Sequence, residues 1–219
     1  MQVLDGENRG VYHRPVDDVT AFVLAGGKST RMGRDKAFLE LDGRTLLELA
    51  VARARSLTEN VRIVGSPAKF AAFGPVVEDI FSERGPLGAI HAALTASATE
   101  LNLMLAVDTP LLQPSFLAWM LKRAQGNRAM VTVPSVGGRL HPLCGVYRKS
   151  FARTAEQSLL AGQNKIDRLF AEIATEVIAE EEIVAAGFSA EMFHNVNTPD
   201  EWKAVTSTEY PVSSKKTRS

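Results

Sequence analysis

The chain has 219 residues, a length that at about 150 residues per domain predicts a single domain. Apolar residues make up 45% and charged residues 23%, so the composition is that of a globular protein and excludes a disordered, collagen-like or coiled-coil chain. The 25 Lys and Arg balance the 25 Asp and Glu, and this net charge of zero speaks against a sequence-independent nucleic-acid binder, which normally carries excess positive charge.

The cysteine content and the hydropathy pattern predict a cytoplasmic protein. Cys144, the only cysteine, can form neither an intrachain disulfide nor a thiolate zinc site by itself, which suits a reducing compartment. The longest apolar runs, such as Leu101–Val107, have the length of a strand and not of a membrane span. Residues 1–18 are polar and acidic and lack the apolar stretch of a secretory signal. We therefore expect neither a membrane nor a nucleic acid as a partner.

Short apolar runs alternate with segments of helical spacing along the chain. In chain order the pattern predicts a strand at Thr20–Ala25, a helix at Thr45–Leu57, strands at Val61–Gly65 and Pro75–Asp79, a helix at Leu87–Ala98, a strand at Leu101–Val107, a helix at Ser115–Ala124, strands at Ala129–Pro134 and Leu143–Tyr147, helices at Phe151–Leu160 and Asp167–Ile173, a strand near Ile178, and helices at Glu181–Ala185 and after Thr198-Pro199. Such alternation is typical of a single-domain, three-layer α/β/α fold, Rossmann-like, with a mainly parallel sheet.

The predicted domain spans residues 19–206. Residues 1–18 show no periodicity and are expected to form a flexible N-terminal extension. Residues 207–219 are rich in Ser, Thr and Lys and are expected to form a disordered tail. In an open parallel sheet, ligands bind beyond the carboxyl ends of the strands, which here means just after Ala25, Asp79 and Val107.

A cationic glycine loop follows the first predicted strand. It reads LAGGKSTRMGRDK over Leu24–Lys36. Gly26 and Gly27 let the backbone approach a ligand closely, and four cations stand nearby, as polyphosphate binding requires: Lys28, Arg31, Arg34 and Lys36. A Walker loop is excluded because Phe22 stands where that loop needs glycine, and the Gly-x-Gly-x-x-Gly dinucleotide motif is absent as well. The alternative is a basic surface loop with turn glycines.

A carboxylate follows the most apolar predicted strand. Asp108 comes directly after Leu101–Val107 and before Thr109-Pro110. Mg²⁺ often takes only one or two protein carboxylates and completes its shell with water and substrate phosphates, so Asp108 is a candidate metal ligand. The alternative is an aspartate that forms a turn or caps a helix ahead of proline.

The glycine loop resembles the nucleotide-binding signature of molybdenum cofactor guanylyltransferases, L-A-G-G-x-S-x-R-M-G-x-D-K. Every fixed position of that signature is met between Leu24 and Lys36. The wider group of sugar-phosphate and terpenoid-precursor nucleotidyltransferases more often has alanine at the position of Gly26, so this glycine favours the guanylyl branch. The resemblance extends from about Thr20 to Trp202 and implies the nucleotidyltransferase type of α/β fold.

The resemblance also implies roles for individual residues. Backbone groups of Leu24, Ala25, Gly26 and Gly27 would contact the nucleotide, and Lys36, with Arg31 as a second cation, would neutralise its phosphates. Asp79 would contact the nucleotide, and Asp108 would bind both nucleotide and metal. The implied catalytic residues are therefore Lys36, Arg31 and Asp108.

Two elements in the second half of the chain resemble family elements less specifically. Arg139-Leu140-His141-Pro142 is similar to a His-Pro element, from which His141 could contact a phosphate or the pterin; the alternative is a partly packed loop histidine. The segment from Asn195 to Glu201 resembles the closing Asn-x-Asn-Thr-Pro-Glu-Glu of the family. Asn195 or Asn197 could then lie near the metal or phosphates, while the alternative is a strand end with a helix cap.

The chain departs from the family pattern at two places. Gly65 and Ser66 stand where the family often has an asparagine that contacts the nucleotide. Gly88-Ala89 inverts the Ala-Gly order of the family's Gly-Pro-Leu-Ala-Gly stretch, although both residues remain small.

The resemblance implies transfer of GMP from GTP to molybdenum-bound molybdopterin, with Mg²⁺ as the cofactor and pyrophosphate as the leaving group. Transient contact with proteins of molybdenum cofactor biosynthesis, or with the apo-enzymes that receive the cofactor, is a further expectation. Two alternatives stay open: a related nucleotidyltransferase that uses CTP or a sugar-phosphate acceptor, and a non-catalytic nucleotide-binding module.

Overall fold

A computed structural model describes residues 18–26, 35–41, 43–81 and 84–195. The strands are β1 (Val19–Leu24), β2 (Glu40–Leu41), β3 (Arg44–Thr45), β4 (Val61–Val64), β5 (Val76–Val77), β6 (Leu101–Ala106), β7 (Val131–Val136), β8 (Arg139–Leu140), β9 (Cys144–Arg148) and β10 (Thr175–Ile178). The α-helices are α1 (Leu46–Arg55), α2 (Pro67–Phe70), α3 (Pro86–Ala96), α4 (Pro114–Gly126), α5 (Phe151–Leu160), α6 (Ile166–Glu172) and α7 (Glu180–Ala185), with 3-10 helices at Lys36–Phe38 and Ala190–Phe193. Residues 1–17 of the predicted extension 1–18, the predicted tail and the predicted helix after Pro199 lie outside the described residues.

Eight strands form one mixed sheet in the order β10-β7-β9-β6-β1-β4-β5, with β8 paired to β7. The pairs of β1 with β4 and β6, of β4 with β5, and of β7 with β10 are parallel. Only β9, between β6 and β7, and the short β8 run antiparallel to their neighbours among these strands. This sheet confirms the predicted mainly parallel α/β architecture.

The hydrophobic core has two halves, one on each face of the sheet, because successive side chains of a strand point to opposite faces. Along β1, Ala21 and Val23 join the half formed with α1 and α4, and Phe22 and Leu24 join the half formed with α3, α5 and α6. All six residues of β1 and of β6 are buried, as expected for central strands covered by helices on both sides. The result is the predicted three-layer arrangement in a single domain.

The structure adds short elements that hydropathy patterning does not predict. The β2–β3 pair and α2 are two to four residues long, too short for a periodic signal. Gly137 and Gly138, with φ of 58° and 70°, form the two-residue turn that joins β7 to β8. The strand predicted at Pro75–Asp79 is shorter than expected, since β5 ends at Val77 and leaves Asp79 beyond it. Among the described residues no helix is both long and apolar enough to cross a membrane.

Candidate active site

The carboxyl ends of three parallel strands meet at one edge of the sheet. Leu24, the last residue of β1, is in register with Val64 of β4 and with Ala106 of β6. The segments that follow these strands, Ala25–Gly26, Gly65–Ser66 and Val107–Asp108, therefore leave the sheet side by side. This is the edge at which the sequence predicts a ligand.

The turn after β1 is held by its neighbour β4. The backbone N–H groups of Ala25 and Gly26 both donate to the Val64 carbonyl, at 3.0 and 3.2 Å. Leu24 and Ala25 bury their side chains in the core, so only their backbone can meet a ligand, while Gly26 is exposed. Gly27 and Arg31, the other predicted contacts of this loop, lie outside the described residues.

Lys36 and Asp108, far apart in the sequence, lie together at this edge. The Lys36 Nζ is 3.7 Å from the Asp108 Oδ2, and their side chains are 22% and 24% exposed. Lys36 opens a 3-10 helix that Asp35 caps by accepting a hydrogen bond from the Ala37 N–H at 3.2 Å, and the buried Ala37 anchors this helix. The Lys69 ammonium in turn contacts the Asp35 carboxylate at 2.7 Å. The two predicted phosphate- and metal-binding side chains thus share one partly exposed place.

Burial raises the pKa of Asp108 above its ordinary value, and the Lys36 ammonium lowers it only in part. A desolvated carboxylate of this kind gains from a further cation. No group of three or more His, Cys, Asp or Glu that could hold a metal occurs in the described part of the chain. A single hard oxygen donor at an open edge fits Mg²⁺, which binds through few carboxylates and keeps water and phosphate ligands.

A third residue, Arg53 of α1, contacts the chain just after Asp108. Its guanidinium donates to the Thr109 carbonyl at 3.4 Å and to the Pro110 carbonyl. Burial lowers the pKa of Arg53 to about 10, with a smaller effect of Arg44. The sequence does not predict Arg53 as part of the site, because its helical spacing indicates only a position along one side of α1.

Asp79, the second predicted carboxylate, lies against the start of α3. Its Oδ1 accepts a hydrogen bond from the Phe81 N–H at 2.9 Å. A Cβ added at Gly88 would lie 3.0 Å from the Asp79 Oδ2 and 2.9 Å from the Phe81 carbonyl oxygen. The inverted Gly88-Ala89 order therefore places the residue without a side chain where the Asp79 carboxylate packs. Burial raises the pKa of Asp79, which the Phe81 hydrogen bond and the nearby His91 lower in part.

A neighbouring side chain fills the space beside Gly65, which with Ser66 stands where the family often has asparagine. A Cβ added at Gly65 would lie 2.7 and 2.8 Å from two ring atoms of Phe70, which is fully buried. Phe70 belongs to α2, the short helix that follows this position. Glycine at 65 is thus required by packing, so any contact to a ligand from this segment must come from the backbone or from the exposed Ser66.

His141 and Asn195 lie outside this described cluster of contacts. The His141 ring is half-buried and its centroid is 4.8 Å from that of Phe193, while its N–H group on the backbone donates to the Pro134 carbonyl at 2.9 Å. Burial lowers the pKa of His141 below its ordinary value, which favours the neutral imidazole near pH 7. Asn195 is exposed, and no described contact joins either residue to Lys36 or Asp108. Asn197 lies outside the described residues.

Cys144 is buried in β9, and burial raises the pKa of its thiol to about 12. A thiol with so high a pKa has almost no thiolate near neutral pH and is a poor nucleophile. Cys144 is therefore a core residue, as the apolar sequence around it predicts.

Similarities to known proteins extend over most of the described chain. The profile of the MobA-like NTP transferase domain matches residues 21–177. The "Molybdenum cofactor guanylyltransferase" of Desulfosudis oleivorans is 31% identical over 189 residues, covering 85% of this chain and 93% of that protein. The "Probable molybdenum cofactor guanylyltransferase" of Carboxydothermus hydrogenoformans is 31% identical over 189 residues, covering 86% of this chain and 95% of that protein.

Solved structures share the fold at lower identity. Molybdopterin-guanine dinucleotide biosynthesis protein A of Archaeoglobus fulgidus matches with a TM-score of 0.75 and 24% identity, covering 85% of this chain and 96% of that chain. A cytidylyltransferase of Leptospira borgpetersenii matches with a TM-score of 0.65 and 12% identity, covering 87% of this chain and 86% of that chain. At these identities the two likenesses show the fold alone. The family profile matches more than half of the chain, and the chain covers relatives above 30% identity almost completely. The chain therefore belongs to the MobA-like NTP transferase family.

Proposed function

We propose that the chain is a molybdenum cofactor guanylyltransferase of the cytoplasm, which transfers GMP from GTP to molybdenum-bound molybdopterin. The observation that carries the proposal is the Lys36–Asp108 pair, 3.7 Å apart at the sheet edge where a ligand is expected, in a chain of the NTP transferase family. The names of the relatives point to the guanylyl reaction. Contacts with other proteins of cofactor biosynthesis, or with apo-enzymes, belong to this proposal and would be transient.

In the proposed reaction a phosphate oxygen of molybdopterin attacks the α-phosphorus of GTP. A new P–O bond forms, the bond from the α-phosphorus to the bridging oxygen of the β-phosphate breaks, and pyrophosphate leaves with the electron pair. The attacking phosphate monoester is already ionised near neutral pH, so no general base is required. Catalysis then consists mainly of positioning the substrates and neutralising charge.

The residues of the site would divide these tasks. Asp108 would hold Mg²⁺ together with oxygens of the triphosphate, and Lys36 would bind phosphate oxygens beside it. When bound, Mg²⁺ supplies positive charge to the phosphates and fixes their orientation. The backbone of Leu24–Gly27 would line the nucleotide, with Arg31 as a further cation, and Asp79 would make a polar contact to the nucleoside. His141 would contact a phosphate or the pterin, and Asn195 or Asn197 would lie near the metal or the phosphates.

The same chemistry with CTP is a second candidate, favoured by one observation. Phe70 fills the space at Gly65, where the family often places an asparagine that contacts the nucleotide. A contact there must come from the backbone or from Ser66, which weakens the argument for guanine, whereas Gly26 supports guanine. The edge of the sheet would bind either triphosphate in the same way.

Calorimetric titration of GTP, CTP, ATP and UTP with Mg²⁺, followed by a pyrophosphate-release assay with molybdopterin, tests the proposal. We expect a clear preference for GTP and product formation by the wild-type protein. Asp108→Asn should abolish Mg²⁺-dependent turnover, whereas Asp167→Asn, an exposed aspartate on α6, should leave it unchanged. Full turnover by Asp108→Asn would refute the assignment of the metal ligand. A preference for CTP would move the chain to the second candidate, and nucleotide binding without any product would make it a binding module.

A further inference from the structure

Hydrogen bonds from two directions hold the chain that follows Asp108. We call residues 107–112 the Asp108 loop. The Thr109 hydroxyl donates to the carbonyl of Ala106, the last residue of β6, at 3.2 Å, and within the loop the Leu112 N–H donates to the Thr109 carbonyl at 3.4 Å. From outside, Arg53 donates to the carbonyls of Thr109 and Pro110, the two residues directly after Asp108.

Arg53 is unusual because it is a half-buried cation whose described contacts are carbonyls. No ion pair joins it to a carboxylate among residues 18–26, 35–41, 43–81 and 84–195. Burial of a charge without an anion is costly unless hydrogen bonds replace the lost water. The planar guanidinium presents several N–H donors in a fixed geometry, so it can hold two successive carbonyls at once. Its position is therefore tied to the shape of the Asp108 loop.

Arg53 contacts the backbone next to Asp108. Its guanidinium donates to the carbonyls of Thr109 and Pro110, the two residues that follow Asp108 in the chain. Its effect on the carboxylate is thus one of placement.

Helix α1 also holds the segment that carries Lys36. The Leu46 N–H, at the start of α1, donates to the Leu39 carbonyl at 2.8 Å, just after the 3-10 helix Lys36–Phe38. Arg53, two turns further along α1, holds the Asp108 loop. Helix α1 therefore forms hydrogen bonds with both segments that carry the Lys36–Asp108 pair.

We propose that Arg53 is a positioning residue of the metal site: by binding the Thr109 and Pro110 carbonyls, it fixes Asp108 at the distance from Lys36 that metal and triphosphate require. This inference rests on the proposed function, since it takes Asp108 as the metal ligand. Outer-shell partners of metal ligands typically change metal affinity or activity by about 10- to 100-fold when removed.

The test compares Arg53→Lys and Arg53→Ala with the matched variants Arg55→Lys and Arg55→Ala, since Arg55 is exposed and lies two residues later on the same helix. Mn²⁺, whose free form is measured by electron paramagnetic resonance, is titrated into each protein in the presence of GTP. We expect Mn²⁺ binding to weaken about 10-fold or more in both Arg53 variants, because neither lysine nor alanine can hold both carbonyls. The Arg55 variants should bind Mn²⁺ like the wild type.

Two further readouts separate positioning from general stability. Guanidinium ion added to Arg53→Ala should restore part of the Mn²⁺ binding, and it should have no such effect on Arg55→Ala. Amide hydrogen exchange of the Asp108 loop should speed up in Arg53→Lys, while exchange in the central strand β6 stays as in the wild type. Wild-type Mn²⁺ affinity in Arg53→Lys, or a loss explained entirely by global unfolding, would overturn the inference.

The outcome is distinguishable from a failure of the proposed function. If the wild type binds Mn²⁺ with GTP but forms no product, the proposed reaction is wrong and the positioning role is still tested by the binding titration. If the wild type transfers GMP and Arg53→Lys retains its metal affinity and turnover, the proposed reaction stands and the positioning role is wrong.

Discussion

The Lys36–Asp108 pair should contribute measurably to the stability of the protein without any ligand. At the observed 3.7 Å between Nζ and Oδ2, Coulomb attraction is about 1 kcal/mol in bulk water and about 4.5 kcal/mol at an effective dielectric constant of about 20. Both side chains are about a quarter exposed, so we expect a coupling energy between these limits, about 2–3 kcal/mol. A double-mutant cycle with Lys36→Met, Asp108→Asn and the double variant measures it.

The assay is urea unfolding at pH 7 and low ionic strength, with a chelator and no nucleotide. Lys36→Met should be the more destabilising single variant, because it leaves a desolvated carboxylate without its cation. In the Asp108→Asn background, Lys36→Met should cost much less. A coupling energy below about 0.5 kcal/mol, the level at which independent sites add, would refute the pair as an interaction in solution.

Because the pKa of Asp108 is raised in the folded protein, the difference in unfolding free energy between the wild type and Asp108→Asn should depend on pH. An acid whose pKa is raised by folding contributes stability below its unfolded pKa, about 3.9 for aspartate, and loses that stability as the pH rises through the folded pKa. Asn at this position does not titrate, so Asp108→Asn should gain stability relative to the wild type between about pH 4 and neutral pH. Equal differences in unfolding free energy at pH 4 and pH 7 would contradict the desolvation of this carboxylate.

Two glycines at the site give further predictions. Gly88→Ala should weaken nucleotide binding by about 10-fold in calorimetry, a cost of about 1.4 kcal/mol, because the new methyl group displaces the Asp79 carboxylate. Gly126→Ala, at a helical glycine with open space around it, is the matched control and should bind nucleotide normally; equal affinities of the two variants would contradict this packing. Gly65→Ala should lower the free energy of unfolding by about 1–3 kcal/mol through overpacking against Phe70. Phe70→Leu should reduce that cost in the double variant, and strictly additive losses in urea unfolding would argue against the clash.

Much of the fold follows from local sequence signals. The apolar runs of β1 and β6 and the helical spacing of α1 predict a buried parallel sheet, because strands covered on both faces have no polar alternation. The glycines and cations after β1 predict a phosphate-binding loop at the sheet edge, and Asp108, two residues after β6, predicts a carboxylate beside it. These signals are local because each depends on neighbouring residues of one strand and its turn.

Other features depend on contacts between distant parts of the chain, which no local pattern specifies. The sequence predicts the strand at β9 but not its antiparallel direction. That direction depends on how residues 141–143 return the chain from β8 into the sheet between β6 and β7. From the sequence, Gly65 indicates only a missing side-chain contact, whereas the structure shows that the Phe70 ring fills the space beside Gly65. The sequence predicts only that Arg53 lies on one side of an amphipathic helix. The packing of α1 against the sheet is what brings its guanidinium to the Thr109 and Pro110 carbonyls, just after Asp108. The sequence by itself therefore determines the sheet, the edge at which a ligand is expected and the chemical types of the residues there, whereas the tertiary structure decides which of them meet and at what distance.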